Sequence, residues 1–183
     1  MNAKVKIQLS EQLVPFYSSK KLLDAYAIAL ETTSQIQTLI DRIGKSVVFL
    51  KSSHVIELHQ NAFTELESIL SITRYLSDDF SNTFDVGLEK YKNIITETEC
   101  DAGDLLEPYG LAYEVFTWLS TLIYQMKEEL IVIKKSSTAL CDAVFASLEN
   151  LIMIADYLSD NHRNTFKIEC EKYEMEWEAT KNG

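Results

Sequence analysis

The sequence predicts an all-α protein: a tandem duplication of a three-helix unit of about 82 residues, packed into one pseudo-symmetric, elongated helical bundle. Three observations predict it. Apolar residues recur at steps of three and four through long stretches, the period of a helix with one buried face. Two prolines and five glycines in 183 residues leave little turn punctuation. The second half also repeats the first. Between Leu66 and Tyr91, 13 of 26 positions recur unchanged 82 positions later, as Tyr75-Leu76-Ser77-Asp78 recurs in Tyr157-Leu158-Ser159-Asp160 and Asn82-Thr83-Phe84 in Asn164-Thr165-Phe166. Upstream, Leu22–Glu31 matches Leu105–Glu114 at an offset of 83. A duplicated unit packs against its own copy and places equivalent residues around a shared core.

The units follow in order. Residues 1–19 form a lead-in outside the repeat, 20–100 the first repeat and 101–183 the second, the two sharing one domain. In the lead-in, Val5–Leu9 alternates like a very short strand, and Ser10 can cap a helical turn that Pro15 ends. The first helix starts near Ser19 and buries Leu22, Tyr26, Ile36, Ile40, Ile43, Val47 and Leu50, with Gly44 as a weak point. Its copy uses Leu106, Tyr109, Phe116, Leu119, Ile123, Met126, Leu130 and Ile133, with Pro108 in the first turn. Lys51-Ser52-Ser53 and Lys135-Ser136-Ser137 end these helices and cap the next, because serine hydroxyls accept from orphan N–H groups. The second helix turns Val55, Leu58, Leu66, Leu70 and Thr73 inward, and its copy Leu140, Val144, Leu148, Leu151 and Ala155. Ser77-Asp78 and Ser159-Asp160 either cap a third helix or lie within one helix of about 45 residues, and the Ser-Asp signal before a polar stretch favours the break. The third helix carries Phe84, Leu88, Tyr91 and Ile95 inward, or Phe166, Cys170, Tyr173 and Trp177. Asp101 to Asp104 is the turn between repeats.

Seventeen basic against 28 acidic residues give a formal net charge of −11. That argues against a nucleic-acid-backbone binder, which normally shows a basic stripe, and suits a partner with a basic surface. Three cysteines, Cys100, Cys141 and Cys170, show no Cys-x-x-Cys spacing and indicate a reducing, cytoplasmic setting. The first 20 residues lack the pattern of a secretory leader, and no segment is apolar enough to predict a membrane span.

No catalytic constellation stands out. His54, His59 and His162 are not shared between repeats, and neither Glu-x-x-His, His-Glu-x-x-His nor Gly-x-Ser-x-Gly occurs. Gly44-Lys45-Ser46 matches the end of a phosphate-binding loop, but Leu39 replaces the required first glycine. The primary expectation is therefore a non-catalytic, acidic helical module that sequesters, neutralises or chaperones a basic protein, without a cofactor. Glu171, Glu174, Glu178 and Trp177 form its expected contact surface. A second expectation is a metal-dependent helical enzyme, in which Asp78, Asn82, Asp160 and Asn164 meet at the pseudo-symmetry axis to hold Mg²⁺ or Mn²⁺. A third is a structural homo-oligomer.

Overall fold

The computed structural model describes residues 16–52, 61–94, 99–136 and 142–181. The readings made at Val5–Leu9, Ser10, Pro15, Ser53, His54, Val55, Leu58, His59, Ile95, Ser137, Leu140 and Cys141 lie outside the described residues. Four helices dominate: α1 (Ser19–Ser52), α2 (Thr64–Ile94), α3 (Ala102–Ser136) and α4 (Ala146–Lys181). At 31 to 36 residues each is about 50 Å long. Two-residue strands, β1 (Tyr17–Ser18) before α1 and β2 (Glu99–Cys100) before α3, pair antiparallel with Tyr17 opposite Cys100. This small ladder ties the starts of α1 and α3 to the same end of the bundle.

Each half is an antiparallel hairpin, and equivalent contacts hold both. Tyr26 stacks on Tyr91 at 5.3 Å in the first, and Tyr109 on Tyr173 at 5.4 Å in the second. At the other end Lys51 meets Glu67 at 2.7 Å, and Lys134 meets Glu149 at 2.9 Å. The hairpins pack with α1 and α3 as the inner pair, touching each other and both remaining helices. Helices α2 and α4 occupy opposite corners and are not packed on one another. The core runs the length of the bundle through fully buried Ile36, Ile40, Ile43, Leu66 and Phe84, and through Leu105, Phe116, Leu119, Ile123, Phe145, Phe166 and Tyr173. Its apolar burial is the main stabilising term.

The all-α architecture stands, but among the described residues each repeat carries two long helices, the expected second and third being continuous. Helix α2 runs unbroken through Ser77-Asp78, and α4 through Ser159-Asp160. Both serines are completely buried and donate back to the carbonyl three residues earlier, Ser77 Oγ to Arg74 at 2.9 Å and Ser159 Oγ to Asp156 at 3.0 Å. A hydroxyl bonded within its own helix has no orphan N–H to cap. Here serine serves as a small residue on the inner face.

Two neighbouring expectations change for the same kind of reason. Asp101 to Asp104 is a capping box: Asp104 N–H donates to Asp101 Oδ1 and Asp101 N–H to Asp104 Oδ2, both at 3.0 Å. Helix α3 therefore begins at Ala102, and Pro108 lies inside it rather than in its first turn. The hydroxyls of Ser52 and Ser136 close α1 and α3 by donating to Phe49 and Ile133 carbonyls, so neither caps the helix that follows.

Candidate docking surface

The four residues expected to share a metal do not converge. Asp78 is half-buried and accepts from Gln37 Nε2 of α1, while Asp160 is exposed and bridged by Arg163 on its own helix. Asn82 and Asn164 are exposed on helices at opposite corners of the bundle. With α1 and α3 between them, the two Asp–Asn pairs cannot form one site at the pseudo-symmetry axis. Among the described residues no group of three or more His, Cys, Asp or Glu side chains is placed to hold a metal ion.

Burial shifts several titratable groups of the bundle. Burial pushes the Cys100 and Cys170 thiols up, with acidic neighbours adding to the effect. The Tyr17 phenol is pushed up to about 12 by burial and by Glu176, which accepts its hydroxyl hydrogen bond. Tyr109 rises to about 12 by burial and the nearby Tyr173. His162 stands edge-on to Phe116 at 5.2 Å, its buried Nε2 unpaired, and burial lowers its pKa.

The acidic residues of α4 form an edge. Glu171, Glu174 and Glu178 are exposed and follow at steps of three and four, so they share a face. Glu174 lies about five full turns beyond Asp156, whose carboxylate meets Lys127 of α3, and this phase places the edge on the α3 side. Glu171 is bridged to Lys167 at 3.7 Å. Trp177 is not an exposed anchor. It is half-buried, its ring edge lies where a Cβ on Gly103 would be 3.0 Å away, and Lys181 Nζ stands 4.8 Å above it.

Beside this edge runs a feature the core stripes did not disclose. Ile72, Tyr75, Asp79, Asn82, Thr83 and Val86 line the outer face of α2, and Ile154, Tyr157, Asn161, Asn164, Thr165 and Ile168 the outer face of α4. The large apolar members are exposed to matching degrees: 53% and 48% for Ile72 and Ile154, 68% and 70% for Tyr75 and Tyr157, 68% and 65% for Val86 and Ile168. Four of these six positions are identical between the halves, and the others exchange Asp for Asn and Val for Ile. Among neighbouring exposed positions Ser71 has become Met153 and Asp85 Lys167, while Glu89-Lys90 is retained as Glu171-Lys172. Exposed sites carry little folding energy, so packing gives no reason for the retention of the strips. The sequence signal was available: Ile72, Tyr75 and Val86 are apolar, repeated and outside the inward stripe.

A cleft of about 540 Å³ between α1 and α2 is a second feature, lined by Asp41, Gly44, Lys45, Val48, Glu67 and Arg74 among others. Arg74 spans it to Asp41 at 3.0 Å. The equivalents of Asp41, Gly44, Val48 and Arg74 in the second hairpin are Tyr124, Lys127, Ile131 and Asp156, so its charged pair is reversed, Lys127 to Asp156 at 2.7 Å. The cleft belongs to one half, whereas the outer strips belong to both.

No helix among the described residues is long and apolar enough to cross a membrane. Comparison with protein-family models, with characterised proteins and with solved structures finds no match to this chain.

Proposed function

We propose that the protein is a non-catalytic protein-binding module that sequesters, neutralises or chaperones a partner with a basic surface. One observation carries the reading: exposed isoleucine, tyrosine and valine or isoleucine side chains stand at matching positions on the outer faces of α2 and α4, where folding does not require them. Tyrosine is enriched among the residues that dominate interface energies, and an apolar strip beside charge has the anatomy of a docking face. On α4 the neighbouring charge is the edge of Glu171, Glu174 and Glu178, within a chain of net charge −11. Such carboxylates raise the encounter rate with a basic partner and select against acidic ones.

Affinity capture from source-cell lysate at about 150 mM salt, where exposed charges act over roughly 8 Å, tests this reading. Wild type is compared with the triple variant Glu171→Lys, Glu174→Lys, Glu178→Lys and with Tyr157→Asp. The expected result is one basic protein captured stoichiometrically by wild type, released at high salt, and lost severalfold from both variants. Equal capture by wild type and both variants refutes the assignment.

A further inference from the structure

The protein carries its outer strip twice, and the helices that bear it stand at opposite corners of the bundle. From this we infer that one chain docks two copies of the same partner element, one on α2 and one on α4, which rests on the binding-module reading above. Each strip reads apolar, polar, apolar along its helix. Ile72 and Tyr75 or Ile154 and Tyr157 form one end, Asn82-Thr83 or Asn164-Thr165 lie between, and Val86 or Ile168 forms the other end. From Ile72 to Val86 the strip is about 21 Å long, which an element of roughly 14 to 18 helical residues covers. Both threonines spend their hydroxyls on their own helices, Thr83 on Asp79 and Thr165 on Asn161 at 3.0 Å. The polar middle thus offers the Asp79 carboxylate and Asn82 amide on α2, and the amides of Asn161 and Asn164 on α4.

Charge selects the occupant. Helix α2 carries six acidic against three basic residues and α4 eight against four, so both helices are net negative although Glu89, Asp160 and Glu171 beside the strips are bridged to Lys92, Arg163 and Lys167. A second copy of this chain would bring −11 against −11. An amphipathic helix with an apolar ridge flanked by lysine or arginine matches both strips in shape and sign. Because the strips face away from one another, two such helices bind without touching. A partner that is itself a dimer, or that offers its helix in several copies, would be cross-linked or capped on both sides.

The experiment titrates the full chain with a Leu/Lys amphipathic helical peptide of about 18 residues, using calorimetry for affinity and native mass spectrometry for stoichiometry. A control peptide has the same charge with serine replacing leucine. Two peptides per chain are expected, with affinities within about threefold of each other. Tyr75→Asp and Tyr157→Asp should each leave one site, and the double variant neither, all three with unchanged far-ultraviolet circular dichroism. One peptide per chain, sensitive to Tyr157→Asp but not to Tyr75→Asp, overturns the twofold docking and leaves the α4 binding face standing. Absence of binding, equal binding of the control peptide, or full binding to the double variant overturns both readings.

Discussion

Alanine at Gly87 and alanine at Gly44 should shift stability in opposite directions, although both glycines lie inside long helices. Glycine to alanine in a helix interior gains about 1 kcal/mol from backbone entropy alone. At Gly44 the new Cβ meets Arg74 Nη2 at 2.8 Å and Leu70 Cδ2 at 3.3 Å. The guanidinium is the far end of a flexible, partly exposed side chain, and moving it costs at most its surface pair with Asp41, about 0.2–1 kcal/mol. Gly44→Ala should therefore stabilise the protein by about 0.5 kcal/mol. At Gly87 the Cβ would sit 2.3 and 2.5 Å from two ring carbons of Tyr26, where about 3.5 Å is comfortable. Tyr26 is buried and stacked on Tyr91, so its ring has little room to retreat. Overpacking costs about 1–3 kcal/mol and disturbing the stack about 0.5–1.5 kcal/mol. After the alanine gain, a net loss of about 1–3 kcal/mol remains, a fall in Tm of roughly 3–10 °C for a chain of this size. Urea and thermal unfolding followed by circular dichroism measure both variants. In a Tyr26→Leu background the penalty should vanish and Gly87→Ala become neutral or stabilising. A neutral Gly87→Ala in wild type, or an equal penalty without the ring, would refute the collision argument.

Two further predictions concern residues the two halves treat differently or alike. His162 has Phe80 as its equivalent, so His162→Phe should stabilise by about 1 kcal/mol at neutral pH by removing an unpaired buried nitrogen. Since burial lowers the folded-state pKa below the unfolded 6.5, the neutral ring's contribution is present above about pH 6.5 and lost as pH falls, and the variant's advantage should widen toward pH 5 in urea titrations. Ser77→Ala should change stability by less than about 0.5 kcal/mol, because its hydroxyl bonds its own helix, whereas Ser77→Leu should cost about 1–3 kcal/mol of overpacking. A loss near 1 kcal/mol in the alanine variant would restore the N-cap role and contradict the continuous helix.

The inner faces were legible residue by residue. Leu66, Phe84, Leu148 and Phe166 fall in the buried stripes the periodicity predicts, and the doubling of Tyr26–Tyr91 as Tyr109–Tyr173 follows from the repeat. Continuity across Ser77 was not legible, because Ser-Asp before a polar stretch is equally compatible with a cap and with a small residue on a buried face. Local chemistry does not distinguish them; the neighbouring helix does. The outer strips were half legible. Their repetition was in plain view, but exposure is a property of packing, and only the assembled bundle turns Tyr75 and Tyr157 outward.

By itself the sequence determined the all-α class and the internal duplication, since the 3.6-residue period and the recurrence at 82 positions are local properties of the polymer. Tertiary structure alone decided which equivalent residues meet. Helices α1 and α3 fill the centre, so the tyrosine pairs and salt bridges form within each hairpin, while Asp78 and Asp160 are kept on helices at opposite corners. Spacing along a chain sets which face a side chain takes; the order in which helices surround a core sets what that face looks upon.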